Sequence, residues 1–283
     1  MDIKSENEYS QQASVDSRLF VGSHLQEGEM TKVSTRRIMI KVAYDGTNYS
    51  GWQIQINALT IEEVLNKALS DLLNEGITVT GASRTDAGVH ALCNFAIFDT
   101  LTKMPADKIC YAVNTRLPED IRVTQSVEVD KEFHPRRCLT KKTYEYHILN
   151  TKIASPIKRN FAHFCHYNCD VELMKIAAKD FKGKHDFKAF CTVGTQVLTT
   201  VREITDISVN RVGDEIVIRV TGYGFLYNMV RIIAGTLLEI GCGRRAVDSI
   251  PATIESLDRT KAGPTAPARG LMLVEYEFVD EEK

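Results

Sequence analysis

Alternation of apolar and polar positions marks the first patterned stretch of the chain. In RIMIKVAY, Ile38, Ile40, Val42 and Tyr44 fall on one face, the period-two signature of a half-buried strand, and Asp45-Gly46-Thr47 breaks it. Thr60-Ile61-Glu62-Glu63 has the form of a capping box. Behind it, Ile61, Val64, Leu65, Ala68, Leu69, Leu72 and Leu73 keep i, i+3, i+4 spacing, which predicts a helix stopped by Gly76. ITVTGAS reads as a strand ending in a loop, CNFAIFDT as a second strand, PADKICYAVNTRL as a helix opened by Pro105, and IRVTQSVEV as a further strand.

The second half repeats this grammar. KTYEYHIL alternates at Tyr144, Tyr146 and Ile148, and DVELMKIAAKDF reads as a helix capped by Asp170. REITDISVNRVGDEIVIRVTG predicts two strands joined at Gly213-Asp214. FLYNMVRIIAGTLLEIG predicts a long amphipathic helix with Met229, Val230, Ile233, Ala234, Leu237 and Leu238 inward, and LMLVEYEF closes the chain as a strand. Interleaved strands and helices with hairpins imply an α+β fold: two similar α/β halves forming a mixed, largely antiparallel sheet, flanked by helices around a central cleft. The halves are residues 36–142 and 143–283. Residues 1–35 lack periodicity and read as a disordered extension outside the fold.

Composition narrows the class. With 43% hydrophobic and 25% charged residues the chain fits a soluble globular protein. No apolar run reaches the roughly 18 residues of a membrane span, and the polar, acidic start is not a signal peptide, so the expected location is the cytoplasm. Seven scattered cysteines, an odd number, argue for free thiols and against a secreted disulfide framework.

A net charge of −2 looks wrong for a nucleic-acid binder until the charge is located. Residues 1–30 hold six acids and two bases, and the last nine residues five acids and one base, so the body between them is basic. Lys131 to Arg159 alone carries eight bases against two acids, a suitable surface for a phosphate chain.

Four segments offer chemistry. GASRTDAGVHA (Gly81 to Ala91) sets Arg84, Thr85, Asp86 and His90 among small residues that would let a ligand approach Asp86 closely. AYDGTNYSGWQIQ holds the only Trp beside tyrosines, glutamines and glycines, a composition suited to stacking on bases or to a core Trp beside a polar turn. FHPRRCLTKKTYEYHI leads Arg136, Arg137, Lys141 and Lys142 into Tyr144, basic residues for a phosphate chain before an aromatic for a base. In GYGFLYNMVRIIAG, Tyr227 and Arg231 are spaced i, i+4. Arg231 lies in apolar company and requires a carboxylate partner, for which Asp86 is the candidate.

Three further segments carry less. LLEIGCG imitates a methyltransferase glycine turn, but its lead-in is helix-periodic and Arg245 stands where the third glycine belongs. HFCHYNC offers two His and two Cys with no second ligand pair after it, so it is not read as a zinc site. GKHDFKAF reads as a packed turn with a structural His185 and Asp186.

Taken together, the segments resemble the TruA family of tRNA pseudouridine synthases. GASRTDAGVHA is similar to the family's catalytic motif, and YDGTNYSGWQ, FHPRR, KTYEY, HDFKAF, GFLYNMVRIIAGTLLEIG and AGPTAPARGLMLVEYEF follow in family order, from about Arg36 to Phe278. The resemblance implies the pseudouridine synthase fold, with Asp86 as the essential aspartate, Arg231 as its partner and Tyr144 stacked on the target base. Arg84 and the bases from Arg136 to Lys142 would grip RNA, with Thr85, His90 and Tyr227 at the substrate. It implies isomerisation of uridine to pseudouridine at positions 38, 39 and 40 of the tRNA anticodon stem-loop, by a homodimer, with no cofactor and no metal. Whether Asp86 attacks sugar or base, or takes the C2′ proton, stays open. The chain departs from the family at Ser83, where Gly is usual, and at Pro135. The rival readings are a non-catalytic tRNA binder and the methyltransferase.

Overall fold

The computed structural model describes residues 35–192 and 197–279; the extension assigned to residues 1–35 lies, Thr35 apart, outside them. Within them the chain forms ten strands and five α-helices. In order these are β1 (Arg36–Tyr44), α1 (Ile61–Leu73), β2 (Thr80–Gly81), β3 (His90–Thr100), α2 (Ala106–Val113), β4 (Ile121–Val129), β5 (Thr140–Leu149) and β6 (His163–Phe164). There follow α3 (Val171–Ala178), β7 (Gly183–Asp186), β8 (Val201–Val212), β9 (Glu215–Tyr223), α4 (Met229–Gly241), α5 (Ser249–Ser256) and β10 (Leu271–Phe278).

The strands join in one mixed sheet of order β4-β1-β3-β10-β5-β9-β8-β7, with β2 added on β3 and β6 on β5. Most pairs are antiparallel; β10 runs parallel to β3, and β6 parallel to β5. The last strand therefore sits at the middle of the sheet. Its Leu273 pairs with Ala91 on one side and with Tyr144 on the other. No helix among the described residues is long and apolar enough to cross a membrane.

Local signals set most boundaries. Ile38, Ile40, Val42 and Tyr44 are buried on one face of β1, as the alternation predicts. The Thr60 side chain accepts from the Glu63 amide at 3.4 Å and opens α1. The helix ends earlier than Gly76, because Asn74 takes a left-handed φ of 53° and turns the chain. ITVT is not a full strand. Ile77 and Val79 are buried, but their amides are held by Ser70 Oγ at 2.9 Å and Asn66 Oδ1 at 2.8 Å of α1 in place of a neighbouring strand. HDF is likewise not a turn: Gly183–Asp186 is the edge strand β7, paired with β8.

Asp170 caps α3 by accepting from the amides of Glu172 and Leu173. The helix α5 has no counterpart in the sequence reading. Pro251 suggests a break there, yet it falls in the first turn, where proline costs no hydrogen bond. Cys93, Cys110, Cys138, Cys165, Cys169 and Cys242 are free thiols, and five of the seven cysteines are buried.

The helix α4 differs most from its expected pattern. It is buried almost all round, adding Ile232 and Ile240 to the inward positions, while Leu238 is only half-buried. The cause is the segment 262–266, which lies against the face left free by the sheet. Gly235 permits this, since a Cβ there would overlap the Pro264 carbonyl oxygen. Gly235→Ala is therefore expected to lower the unfolding free energy by about 1–3 kcal/mol. In an unconstrained helix interior the same change stabilises by about 1 kcal/mol. Urea denaturation decides by sign, and a gain in stability would refute the close approach.

Candidate active site

The stretch from Gly81 to Ala91 links β2 to β3, and its small residues serve packing. Trp52 is fully buried beneath it, and a Cβ at Gly81 would overlap the indole nitrogen. Trp52 N donates to the Thr85 carbonyl at 3.1 Å, and Gly88 N, at φ 75°, donates to the Tyr49 carbonyl at 3.1 Å. The aromatic cluster before the first helix is thus the floor of the loop, with Tyr44 and Tyr49 buried beside Trp52. It is not a stacking surface for bases.

Two polar groups pin the loop from below. Tyr44 Oη lies 2.8 Å from Thr85 Oγ1. The fully buried Asn94 donates to the Ser83 carbonyl at 2.9 Å and to Tyr44 Oη at 3.4 Å. With Thr85 held inward, its neighbours Arg84 and Asp86 turn to the cleft.

Asp86 meets Arg231 there. Arg231 Nη1 donates to Asp86 Oδ2 at 3.3 Å across a sequence separation of 145 residues, with side chains 17% and 21% exposed. Arg231 is itself held on three sides. Its Nε donates to the Ala266 carbonyl at 2.8 Å, and its Nη1 also donates to Asn228 Oδ1 at 2.6 Å. Asn228 sits at the N-cap of α4 with a left-handed φ of 62°, a conformation uncommon outside glycine. Its Nδ2 is spent on Thr192 Oγ1 at 2.8 Å, which leaves Oδ1 to face the guanidinium.

Burial raises the Asp86 carboxyl above its ordinary range, and the charge and hydrogen bond of Arg231 pull it back down. Tyr144, on β5, packs edge-to-face on Phe225 with ring centroids 5.2 Å apart. Its phenol is pushed up chiefly by burial, opposed by a hydrogen bond with Ser83, so it keeps its proton at neutral pH.

Ser83, Asp86, Tyr144, Phe225 and Asn228 line one cleft of about 1040 Å³, to which Arg231 contributes through its contact with Asp86. Its basic wall holds Arg84, Arg136, Lys142 and Arg202. Arg136 Nε donates to the Gly81 carbonyl at 2.7 Å and so braces the loop as well. Lys142 lies 5.0 Å from the Tyr276 ring centre, and burial lowers its ammonium to about 8.

Not every expected residue arrives. His90 is buried outside the cleft: its Nδ1 accepts from Gly46 N at 3.0 Å and lies 3.1 Å from Asp45 Oδ1, and its Nε2 faces the Asn160 carbonyl at 2.9 Å. It is a buried clamp between segments. Arg137 is exposed and Lys141 pairs loosely with Glu277 at 4.0 Å, and neither lines the cleft. Tyr227 lines it but precedes α4, so no helical face joins it to Arg231.

Asn228 and Arg202 escaped the sequence reading. Asn228 is one step from Tyr227, and an Asn just before a helical run is a readable cap signal. For Arg202 no local signal exists; the β8–β9 pairing and the turn at Gly224, φ 73°, carry it in.

The chain is similar to known proteins of one family. A family described as tRNA pseudouridine synthase matches residues 40–136 and 177–279. The tRNA pseudouridine synthase A of Ruminiclostridium cellulolyticum is 52% identical over 244 residues, covering 86% of this chain and all of the relative. The enzyme of the same name from Thermoanaerobacter sp. strain X514 is 47% identical over 243 residues, with the same coverage. In Clostridium tetani, tRNA pseudouridine synthase A 2 is 48% identical over 245 residues, 86% of this chain and 99% of the relative.

The raised Asp86 carboxyl has a consequence for stability. A carboxyl that titrates higher in the folded than in the unfolded chain loses stability as pH rises through that window. Ionised Asp86 is therefore a cost to folding at neutral pH. The melting temperature of Asp86→Asn relative to wild type should therefore rise as pH goes from about 4 to neutral, on top of a pH-independent offset from the unpaired Arg231. Calorimetry at both pH values tests this, and a gap that does not vary with pH overturns it.

Proposed function

The chain belongs to the tRNA pseudouridine synthase family, isomerases of tRNA uridine, and on that premise we propose that it modifies positions 38, 39 and 40 of the anticodon stem-loop with Asp86 as nucleophile. The observation that carries this reading is Asp86, lining a basic cleft and paired with Arg231.

The reaction moves uracil from one bond to another on the same ribose. The N1–C1′ bond breaks, the base turns, C5 bonds to C1′, the C5 proton leaves to solvent and N1 takes a proton. A stacked nucleotide hides its glycosidic bond, so the uridine must flip out and be received in the cleft. Tyr144 is suited to stack on it. Its phenol stays protonated and can donate a hydrogen bond to the received nucleotide.

Asp86 is the one carboxylate among the described residues lining the cleft. Arg231 holds it ionised against burial, which a nucleophile or base requires. Attack on the sugar, attack on the base and removal of the C2′ proton all begin from that same ionised state. Arg84, Arg136, Lys142 and Arg202 hold the phosphate chain on the cleft wall, with Tyr227 beside the nucleotide. We further read residues 36–142 as the half supplying Asp86 and 143–283 as the half supplying Tyr144 and Arg231. The enzyme acts in the cytoplasm as a homodimer, and neither a metal nor a cofactor enters the chemistry.

Release of tritium from tRNA carrying 5-³H-uridine reports the reaction directly. Wild type should release it from transcripts with uridine at 38, 39 or 40, and Asp86→Asn should lower the rate by at least about 10³-fold. An active Asp86→Asn would remove Asp86 from the mechanism. Tritium released only from uridines elsewhere in the tRNA would overturn the assigned positions.

Arg84→Ala and Arg202→Ala are expected to weaken tRNA binding across sequences and to reduce the salt slope by about 1 each. Filter binding at several salt concentrations measures this. Unchanged slopes would mean that these side chains do not meet phosphate.

A further inference from the structure

Three thiols from separate segments meet at the end of α4 remote from Arg231. Cys165 follows β6, Cys169 precedes the cap of α3, and Cys242 ends α4. Cys169 Sγ lies 3.7 Å from Cys165 Sγ and 3.5 Å from Cys242 Sγ, and all three sulfurs fall within 4.8 Å of one another. Tetrahedral zinc holds sulfur at about 2.3 Å, so sulfurs sharing one ion stand about 3.8 Å apart. Two of the three sulfur pairs match that spacing with the chain as it lies, and the third falls within 4.8 Å.

The surroundings suit an ion as well. Asn150 Nδ2 reaches Cys169 Sγ at 3.6 Å while also donating to the carbonyls of Cys165 at 3.0 Å and Tyr167 at 2.7 Å, so one amide orients the ligand loop. Arg244, with its guanidinium 4.1 Å from the Tyr167 ring centre, places positive charge beside a centre that would be anionic with three thiolates. Cys165 and Cys242 also line a cavity of about 300 Å³, which gives a fourth ligand an approach. His163 lines the same cavity, and its Nδ1 is buried with no hydrogen-bond partner among the described residues.

We propose that Cys165, Cys169 and Cys242 hold one zinc-like divalent cation as a structural site, with water in the fourth position. The site is separate from the cleft: eleven helical steps, about 16 Å, separate Arg231 from Cys242. Binding exchanges the thiol protons, released to solvent, for one cation. The ion would fasten the end of α4 to the start of α3, where Asp170 N already donates to the Gly241 carbonyl at 2.8 Å. The sequence reading set HFCHYNC aside for want of a second ligand pair. The fold supplies a single third ligand from 73 positions further on.

The test uses the full chain, purified under reducing conditions from zinc-supplemented cells. Elemental analysis should find about one zinc per chain. After the zinc is removed, cobalt(II) should give thiolate charge-transfer absorption with a tetrahedral visible band. Cys242→Ser should weaken cobalt binding by at least about 10-fold, and Cys138→Ser, which alters a thiol outside the cluster, should leave it unchanged. Chelation should lower the melting temperature of wild type. Absence of both zinc and the cobalt band in wild type overturns the proposal, and so does equal cobalt binding by Cys242→Ser. A Cys165–Cys169 disulfide in the reduced preparation, seen as a mass loss of two hydrogens, also overturns it.

Discussion

A carboxylate that must stay ionised while losing its water needs a cation held in place, and for Asp86 that cation is Arg231. The ordinary cost of burying either charge alone makes the pair an obligation for the fold. Asp86 stands on the loop before β3 and Arg231 on the first turn of α4, so the two segments must be fixed independently and then brought together. The parallel pairing of β10 with β3, and the antiparallel pairing of β10 with β5, do this by setting the loop strand and the Tyr144 strand on either side of one central strand.

Rigidity on both sides of the pair follows from packing. The loop lies on Trp52 and is tied to Tyr44 and Asn94, so its side chains are aimed before any ligand arrives. The helix is pressed against Pro264 through Gly235, and the same segment returns the Ala266 carbonyl to Arg231. Asn228 stores a left-handed turn to place one amide oxygen on the guanidinium. A site with its donors fixed in advance has little to reorganise during the reaction.

Small residues in the loop illustrate how a correct observation can carry the wrong cause. Their density was legible, and so was the importance of the stretch. Read along the chain, they suggest room for a ligand at Asp86. In the fold, Gly81 makes room for an indole and Gly88 supplies a positive φ, while the open space for a nucleotide lies beyond Arg84 and Asp86. Ser83 shows the reverse. It was a departure without an account until the fold set it with Tyr144 on the lining of one cleft.

Sequence alone determined what depends on near neighbours. The alternation of β1, β5 and β10, the caps of α1 and α3 and the hairpin at Gly213-Asp214 all follow from interactions a few residues apart. The demand of Arg231 for a carboxylate was also legible, since a guanidinium among apolar residues cannot be left unpaired. Tertiary structure decided what arrives from far along the chain. It turned His90 into a buried clamp, carried Arg202 to the cleft wall, covered the outer face of α4 and set Cys242 beside Cys165 and Cys169. Periodicity records which face of an element is buried but not what covers it, and the partner of a side chain is chosen by contacts that form only when distant segments pack.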